Sequence, residues 1–543
     1  MLRRILVANR GEIAARVVRT CQRLGIEAIL AVSDADLDSL PARLADRTVR
    51  IGPAPAAASY LNVDAVVAAA VTAGADGVHP GYGFLAENPR LARACDAAGL
   101  VFVGPSAAQL ETAGDKLAAR AQAAAAGLPV LAGAEVSDAG QAEARAREIG
   151  WPVLIKAAGG GGGRGLRRVD NAADVAAAAG QAIAEARGAF GDPRIYLERF
   201  LTRARHVEVQ LLGDGERIIH LGDRDCSLQR RYQKLVEEAP APRLDPGLRA
   251  AMHDAAVTLG RRLRYRGLGT VEFLADADGG AFFFLEMNAR IQVEHPVTEA
   301  VTGLDLVAEQ IAVAEGRPLR LAQEEVTLTG HAIECRINAE DWRAGLPSPG
   351  TVTRAVFPAG LGIRVDTGVQ AGSVVPPYYD SLLAKVIVHA PDRPRAVSGL
   401  RHALDSCEIA GVTTNLVLHS GLARDPAFAA GGVATDFLDR FLRRAATGAE
   451  SGAASSPGAG SPEPGSPGAG SSEAGSPELR STEPASPEPA SPEPASPEAG
   501  SSAAGSAKPG STEPDSPEAG SPRARSAEAG ASPGRPGIEA ARG

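Results

Sequence analysis

Short apolar runs alternate with amphipathic stretches through the first hundred residues of the chain. Between two such runs, Ile13, Val17 and Leu24 recur at roughly helical spacing, which predicts a helix with one buried face. The predicted strands cover residues 4–8, 28–32, 77–79 and 99–103, and the predicted helices cover residues 12–24 and 63–73. Strands that alternate with helices are typical of a parallel sheet, so this part is predicted to be a Rossmann-like domain.

After residue 115 the pattern changes to neighbouring strands that look antiparallel. The predicted elements are a helix at 116–126, strands at 152–157 and 166–169, later strands at 351–356 and 384–389, and a final helix at 436–444. We therefore predict a multidomain chain of mixed α/β and α+β class. Its predicted divisions are residues 1–114, 115–330, 331–445 and 446–543.

The composition changes abruptly near residue 446. From there on the chain has no aromatic residue and no valine, and Ser-Pro-Glu units recur. Such a segment cannot bury enough apolar surface to offset its chain entropy, so residues 446–543 are predicted to be a disordered tail. Two roles stay open for the tail, a solubilising segment and a docking tether.

Charge and apolar content exclude several classes of protein. The formal net charge of −9 comes mostly from the tail, so no basic field favours binding to nucleic acid. No run approaches the ~20 consecutive apolar residues that span a bilayer, so we expect a cytoplasmic protein without membrane contact. The five cysteines are widely spaced and form no Cys-x-x-Cys pair, so we expect packed, free thiols.

A glycine run at residues 159–165, interrupted by Arg164, lies between two predicted strands. A dinucleotide-binding fingerprint needs a helix after its glycines, whereas residues 166–169 favour a strand. Backbone N–H groups of glycines can approach an anion closely, and Lys156 lies just before the run, separated from it only by two alanines. These features favour a phosphate-covering flap over a flexible linker.

A predicted hairpin places two acidic side chains opposite each other. Residues 270–274 and 282–286 favour strands, and a turn centred on Gly279 puts Glu272 across from Glu286. Facing carboxylates repel each other unless a cation lies between them, and oxygen ligands of this kind suit Mg²⁺. The alternative is an exposed hairpin with two solvated acids.

Polar residues occupy every second position after this hairpin. If the backbone stays extended from residue 285 to 294, all five polar side chains share one face. These residues are Glu286, Asn288, Arg290, Gln292 and Glu294. A water-facing strand alternates in the same way, but this set also suits a metal and an anionic substrate.

Other candidate residues have structural interpretations. His206 and His220 lie on strand-like segments and are, taken singly, expected to be structural. The basic cluster at residues 230–234 fits a solvated loop, and Asp115 before Lys116 fits a helix cap. None of these features decides the function alone.

Six longer motifs resemble those of biotin carboxylases, the ATP-grasp component of acetyl-CoA, propionyl-CoA and related carboxylases. They are ILVANRGEI at 5–13, HPGYGFLAEN at 79–88, the glycine run, RDCSLQRRYQKLVEEAPAP at 224–242, EMNARIQVEHPVT at 286–298 and HAIECRINAED at 331–341. The resemblance runs from Met1 to about Arg444. It implies an ATP-grasp domain at 115–330, a biotin carboxylase C-terminal domain of mixed α/β class at 331–445, and ATP-dependent C–N ligase activity.

The resemblance also implies roles for individual residues. Lys116 and Lys156 would contact the ATP phosphates, and a flap that includes Gly161, Gly162 and Gly163 would close over them. The residues that would hold adenine and ribose are Glu198, Leu201, His206 and Gln229. The residues that would bind Mg²⁺, or Mn²⁺ as an alternative, are Glu272, Glu286 and Asn288. Arg290, Gln292 and Val293 would bind bicarbonate, and Glu294 would act as the general base on it. The remaining assignments are Lys234 near the reactive phosphate, Arg336 on the biotin enolate and Tyr82 near biotin.

Partners follow from the same resemblance. Some relatives continue into a carrier domain with a Met-Lys-Met acceptor, and this sequence has no such triplet. We therefore expect biotin on a separate carrier protein, carboxyltransferase subunits downstream, and a homodimer of this chain. Two positions depart from the family pattern, since Tyr232 replaces a common His and Ala289 a frequent Thr.

Two other functions stay open at this point. One is a different ATP-grasp ligase, such as a carbamoyl-phosphate or purine-pathway enzyme, which shares acyl-phosphate chemistry and the metal hairpin. The run from Arg290 to His295, together with Arg336, argues against it. The other is an inactive scaffold protein, against which every assigned position keeps a competent residue.

Overall fold

The N-terminal part of the computed structural model is built around a five-stranded parallel sheet with the order β3-β2-β1-β4-β5. Its strands are β1 (Arg4–Val7), β2 (Glu27–Ser33), β3 (Arg47–Gly52), β4 (Gly77–His79) and β5 (Val101–Phe102). Its helices are α1 (Gly11–Arg23), α2 (Leu40–Leu44), α3 (Val63–Thr72) and α4 (Pro89–Ala97), and Ala56–Ala58 forms a 3-10 turn. The predicted Rossmann-like arrangement is confirmed.

The first strand of this sheet is buried on both faces, and the last strand is shorter than predicted. Ile5, Leu6 and Val7 of β1 are fully buried, as expected for a parallel strand covered on both faces. The predicted strand at 99–103 shortens to Val101–Phe102 because Gly99 takes a φ of 70°, which ends α4 in a turn.

A four-stranded antiparallel sheet follows, in the order β6-β9-β7-β8. Helices α5 (Ala107–Gly114) and α6 (Lys116–Ala125) lead into it. Its elements are β6 (Gly133–Val136), α7 (Ala139–Ile149), β7 (Val153–Ala157), β8 (Arg167–Val169), α8 (Ala172–Phe190) and β9 (Ile195–Arg199). Asp115 caps α6 by accepting from the N–H groups of Leu117 and Ala118, both at 2.9 Å, which confirms its predicted capping role.

The largest sheet has eight strands and positions most of the candidate site. The next strands along the chain are β10 (Ala204–Asp214), β11 (Ile218–Arg230), β12 (Gln233–Ala239), β13 (Arg266–Asp276), β14 (Phe282–Asn288) and β15 (His331–Asn338). Helices α9 (Pro246–Arg262), α10 (His295–Thr302) and α11 (Leu306–Ala314), and a 3-10 turn at Gln323–Glu325, lie between them in sequence. The antiparallel pairing predicted for this part is confirmed.

Two later strands complete this sheet, whose order is β14-β13-β10-β11-β12-β15-β22-β20. The later strands of the chain are β16 (Glu340–Asp341), β17 (Leu346–Pro347), β18 (Gly350–Thr351), β19 (Arg354–Val356), β20 (Ile363–Thr367), β21 (Val374–Val375), β22 (Leu382–Ala390) and β23 (Glu408–Ala410). The last helices are α12 (Arg393–Asp405), α13 (Leu416–Arg424), α14 (Pro426–Ala430) and α15 (Phe437–Ala453). The sheet therefore continues across residue 330, where a domain division is predicted from the sequence.

The structure describes residues 1–136, 138–157, 166–190, 193–277 and 280–453. These belong to one compact unit, Met1–Gly458. Helix α15 runs past the predicted start of the tail to Ala453, and the rest of the predicted disordered tail lies outside the described residues. All five cysteines are buried and free, which confirms the prediction made for them.

Candidate active site

Three carboxylates surround one lysine on the face of the eight-stranded sheet. The Nζ atom of Lys234 in β12 lies 2.6 Å from Glu208 Oε2, 2.8 Å from Glu272 Oε1 and 2.7 Å from Glu294 Oε1. Glu208 and Glu294 are fully buried, and Glu272 is 4% exposed. We call these four residues the acid-rich cluster.

Strand register brings these acids together. Glu208 of β10 pairs with Glu272 of β13, which in turn pairs with Glu286 of β14. On the other side, Glu208 pairs with Arg224 of β11, whose Nε donates to Glu208 Oε1 at 2.6 Å. Four charged residues thus form a row across four neighbouring strands, and the opposition of Glu272 and Glu286 is confirmed.

The protein itself balances much of this negative charge. Burial disfavours the ionised carboxylates, but Lys234 and His206 hold the pKa of Glu272 below its usual range. Lys234, Arg336 and Arg224 likewise outweigh burial and hold the pKa of Glu294 well below its usual range. The carboxylates in turn raise the pKa of Lys234 well above its usual value despite burial. The cations around Glu294 therefore favour its ionised form.

Arg336 of β15 attaches the acid-rich cluster to the C-terminal strands. Its Nη2 donates to Glu294 Oε2 at 2.9 Å, and its Nε donates to Glu237 Oε1 at 2.5 Å. Burial raises the pKa of Glu237 to about 7, although Arg336 opposes that rise. Each oxygen of Glu294 therefore faces a different cation, Lys234 on one side and Arg336 on the other.

Amide side chains form the next layer around Glu272. Asn288 Nδ2 donates to Glu272 Oε1 at 3.0 Å and to Glu286 Oε1 at 3.3 Å, and Gln292 Nε2 donates to Glu272 Oε1 at 3.0 Å. Carboxylate and amide oxygens are the ligands that Mg²⁺ prefers. The donor set of Glu272, Glu286 and Asn288 therefore fits the metal that the sequence predicts.

Arg290 lies beside these amides. Its Nη2 donates to Asn288 Oδ1 at 2.8 Å and its Nη1 to Gln292 Oε1 at 2.7 Å, while its Nε donates to Glu87 Oε2 at 2.9 Å. The guanidinium is thereby oriented by three separate partners. A cation held in this way can take part in binding an anion of fixed geometry.

The backbone does not stay extended from residue 285 to 294, so the condition under which the five polar side chains share one face is not met beyond Asn288. β14 ends there, and Glu294 is the N-cap of α10, with φ −80° and ψ 9°. Its polar residues nevertheless converge, because the chain turns back over Glu272 rather than running straight. The pairing of Glu272 with Glu286 also needs a register shift, since Phe273 pairs with Phe284 rather than with Leu285.

His206 of β10 lies beside the acid-rich cluster, and Gln229 of β11 contacts His206. His206 Nε2 lies 2.9 Å from Glu272 Oε2, and Gln229 Nε2 lies 2.8 Å from His206 Nδ1. Burial opposes protonation of His206, but Glu272 outweighs it and raises the pKa of the imidazole. Both residues lie on the eight-stranded sheet, whereas Glu198, predicted to share their nucleotide contacts, lies on β9 of the four-stranded sheet.

Two lysines mark the side of the site next to the four-stranded sheet. Lys156 of β7 pairs with Glu198, which also lies 3.4 Å from Arg120. Burial lowers the pKa of Lys116 at the start of α6, with Glu286 opposing that shift and Lys156 adding to it. We call Lys116 and Lys156 the lysine edge. Two neighbouring cations of this kind suit an anionic ligand such as a phosphate.

Tyr82 and Val293 are joined through two residues that sequence reasoning missed. The Tyr82 hydroxyl bonds to Glu12 Oε1, and Lys385 Nζ donates to the Val293 carbonyl oxygen at 2.8 Å. Lys385 and Glu12 form an ion pair of 3.0 Å. One signal was present in the sequence, because Lys385 interrupts an otherwise apolar strand.

Three further buried charges were also missed, Glu208, Arg224 and Glu237. Arg224 and Glu237 fall inside a quoted motif, but alternation alone does not separate a buried charge from a solvated one. Leu201 lies just beyond the end of β9, and its nucleotide contact stays a prediction. Gly161, Gly162 and Gly163 lie outside the described residues.

No helix in the described part of the chain combines the length and apolar character needed to cross a bilayer.

Family models match three consecutive segments: the biotin carboxylase N-terminal domain at residues 1–110, the ATP-binding domain of the carbamoyl-phosphate synthase L chain at 115–322, and the biotin carboxylase C-terminal domain at 334–440.

Individual relatives match over almost their whole length. A biotin carboxylase of Pseudomonas aeruginosa is 49% identical over 446 residues, covering 81% of this chain and 99% of the relative. A biotin carboxylase of a Nostoc species is 47% identical over 439 residues, covering 80% and 98%. A solved biotin carboxylase complex with beta-gamma-ATP from Campylobacter jejuni has a TM-score of 0.79 at 44% identity, covering 81% and 99%.

A second solved structure bears directly on ligands. The biotin carboxylase domain dimer of Hydrogenobacter thermophilus 2-oxoglutarate carboxylase, in complex with MgADP, ADP and bicarbonate, has a TM-score of 0.78 at 44% identity. The match covers 81% of this chain and 98% of that one.

Proposed function

The chain belongs to the biotin carboxylase family, and we propose that it carboxylates biotin on a separate carrier protein by way of carboxyphosphate. Its fold is that of an ATP-grasp enzyme, and its class is that of an ATP-dependent ligase. One observation carries the proposal: Glu294 is buried, with Lys234 on one carboxylate oxygen and Arg336 on the other.

The first step uses Glu294 as the base. Bicarbonate is a weak nucleophile, and a positioned carboxylate that takes its proton raises its reactivity. Arg290, Gln292 and the Val293 backbone would hold the anion in place. As the bicarbonate oxygen attacks the γ-phosphorus of ATP, ADP leaves and carboxyphosphate forms.

The lysine edge would hold the phosphates for that step. Lys116 and Lys156 supply positive charge where the phosphates arrive, and the glycine run would close over them to exclude water. Glu272, Glu286 and Asn288 would hold Mg²⁺, or Mn²⁺ in its place. The metal, when bound, neutralises charge on the transferring phosphoryl group.

The second step transfers the carboxyl group. Carboxyphosphate breaks into CO₂ and phosphate, and the phosphate takes the proton from the ureido nitrogen of biotin. Arg336 then stabilises the enolate, which attacks CO₂, while Tyr82 contacts biotin. Lys234 would lie near the reactive phosphate, and its contact with Glu294 favours the ionised form of that carboxylate.

We propose further that the enzyme acts in the cytoplasm as a homodimer, with a biotin carrier protein and carboxyltransferase subunits as partners. The dimer is supported by the dimeric Hydrogenobacter domain. Free biotin and a biotinylated carrier should therefore both accept the carboxyl group, with the carrier preferred.

The deciding experiment follows labelled bicarbonate into carboxybiotin with purified full-length protein, ATP and Mg²⁺. We expect biotin-stimulated ATP cleavage with label incorporation, reduced about 10²–10⁴-fold by Glu294→Gln because the general base is lost. Glu309→Gln is the matched control, since Glu309 is also buried but lies on α11 and pairs with Arg320.

Other outcomes point elsewhere. ATP cleavage without label in biotin would indicate a different ATP-grasp acceptor and overturn the proposal. Absence of cleavage even with a biotinylated carrier would favour the scaffold role.

A further inference from the structure

A buried lysine outside the assigned site joins two of its loops. Lys385 is fully buried on β22, opposite Arg336 of β15. Its Nζ donates to the backbone carbonyl of Val293 at 2.8 Å and forms an ion pair of 3.0 Å with Glu12 Oε2. Val293 belongs to the connection between β14 and α10 that carries the proposed bicarbonate residues.

Glu12 extends this link to the opposite side of the site. It lies in α1, is 2% exposed, and uses its other oxygen to accept from the Tyr82 hydroxyl. One ion pair therefore touches Val293 on the bicarbonate side and Tyr82 on the biotin side. The atoms involved come from distant parts of the chain, so local structure alone does not hold them together.

Acidic groups other than Glu12 also lie near Lys385. Asp366 Oδ2 lies 3.9 Å from Lys385 Nζ. Burial opposes the charge of Lys385, but Glu12, Glu334 and Asp366 together raise the pKa of the lysine above its usual value. The bond from the ammonium to the Val293 carbonyl, 2.8 Å long, holds that carbonyl in one direction.

We infer that the Lys385–Glu12 pair is a positioning element that orients the Val293 carbonyl and the Tyr82 hydroxyl together, and so couples the bicarbonate and biotin subsites. The inference rests on the proposed function. Neither residue is a catalytic residue, since both act through Val293 and Tyr82. Bicarbonate and biotin binding should depend on the pair, whereas ATP binding at the lysine edge should not.

Three variants of the full chain test this: Lys385→Met, Glu12→Gln and the double variant. Lys385→Met should raise the KM for bicarbonate and for free biotin about tenfold, the factor that loss of one charge-assisted hydrogen bond gives. The KM for ATP should stay within about twofold of its original value. Equal changes in all three KM values, or no change, would overturn the inference.

The double variant separates positioning from charge balance. It removes both buried charges, so Tm should recover toward that of the unaltered protein, whereas the KM for bicarbonate should stay raised because the donor to Val293 is still missing. Recovery of both quantities would show that the pair only balances charge. This variant also carries the test if Lys385→Met folds poorly.

Arg393→Met is the matched control. Arg393 is a partly buried cation that pairs with the buried carboxylate of Glu238, with its Nε 2.6 Å from Glu238 Oε2. It should lower Tm without changing the KM for bicarbonate or biotin. A raised bicarbonate KM in this variant would show that any lost buried charge disturbs the site, and would overturn the inference.

A measurement without turnover keeps the inference separate from the proposed function. Amide hydrogen exchange of residues 289–296 should be faster in Lys385→Met and in the double variant than in the unaltered protein, and unchanged in Arg393→Met. If the unaltered protein fails to carboxylate biotin, the proposed function fails, and the exchange result still decides whether Lys385 positions this segment. Unchanged exchange in both lysine variants would overturn the positioning role.

Discussion

The two sides of the active site differ in how their charges are balanced. In the acid-rich cluster, Lys234 contacts three carboxylates and Arg336 contacts the other oxygen of Glu294, so the protein compensates its own charges. At the lysine edge, burial lowers the pKa of Lys116, and its neighbour Lys156 adds to the effect. In the first region the cations contact carboxylates. At the lysine edge Lys156 pairs with Glu198, so Lys116 is the lysine whose charged form a bound phosphate would favour.

This difference indicates which lysines contribute to the stability of the fold and which contribute to nucleotide binding. A lysine inside a satisfied network should matter for stability, and a lysine that awaits an anion should matter for binding. Substitutions at the two places should therefore separate the free energy of unfolding from the KM for ATP.

The largest effect is expected for Lys234→Met. Removing the ammonium leaves three buried carboxylates without their shared partner, which should lower the free energy of unfolding by about 3–5 kcal/mol. Urea denaturation followed by circular dichroism measures this loss. A loss below about 1 kcal/mol would show that the acid-rich cluster does not depend on its central cation.

Lys116→Met should show the opposite pattern. The free energy of unfolding should change by less than about 1 kcal/mol, because burial already disfavours this ammonium. The KM for ATP should rise about 10- to 100-fold through loss of a charge-assisted contact with phosphate. Arg145→Met, an exposed substitution on α7, is the control and should leave both quantities unchanged.

The pH dependence of ATP binding sharpens the comparison further. Burial lowers the pKa of Lys116 from a usual value of about 10.4, and bound phosphates would favour the charged form. As pH rises through the pKa of the free enzyme, the ammonium is lost and the KM for ATP should increase. Lys116→Arg should flatten this alkaline rise, because a guanidinium stays charged. Superimposable profiles for the two proteins would argue against Lys116 as a phosphate ligand.

The smallest effect is expected for Tyr232→His, at the turn between β11 and β12. Arg231 and Tyr232 both have positive φ, 49° and 66°, as in a two-residue hairpin turn, and Tyr232 is 47% exposed. Restoring the residue common in the family should change the KM for ATP by less than about threefold and the free energy of unfolding by less than about 0.5 kcal/mol. A larger change in the KM for ATP would indicate that this turn contacts the nucleotide.

Much of the fold was predictable because its signals are local. The alternation of β1, α1 and β2 follows from apolar spacing within short windows. The opposition of Glu272 and Glu286 was predicted from a turn centred on Gly279, which lies outside the described residues, but in the structure it depends on a register shift beside Glu272. The shift at Leu285 was not predictable, because a bulge changes register without changing the polar pattern. The path after Asn288 was missed for the same reason, since alternation continues although the strand ends.

Within the candidate site, strand spacing predicted the pairing of Glu272 with Glu286, whereas residues far apart in the sequence were grouped only by the resemblance. Lys234, Glu294 and Arg336 come from strands and a helix far apart in sequence, and the resemblance brought them together before the geometry did. The Lys385–Glu12 pair was missed because it joins the first helix to a strand near residue 385. No window of neighbouring residues contains such a contact, and neither residue had an assigned role.

The continuation of the eight-stranded sheet across residue 330 bears on any attempt to shorten this protein. β12 pairs with β15, so a fragment that stops at residue 330 would expose the backbone N–H and C=O groups of β12 along a new open edge. Open edges of this kind recruit strands from other molecules. We therefore expect an ATP-binding fragment that ends at residue 330 to aggregate, because β12 would lack the strand that pairs with it in the full chain.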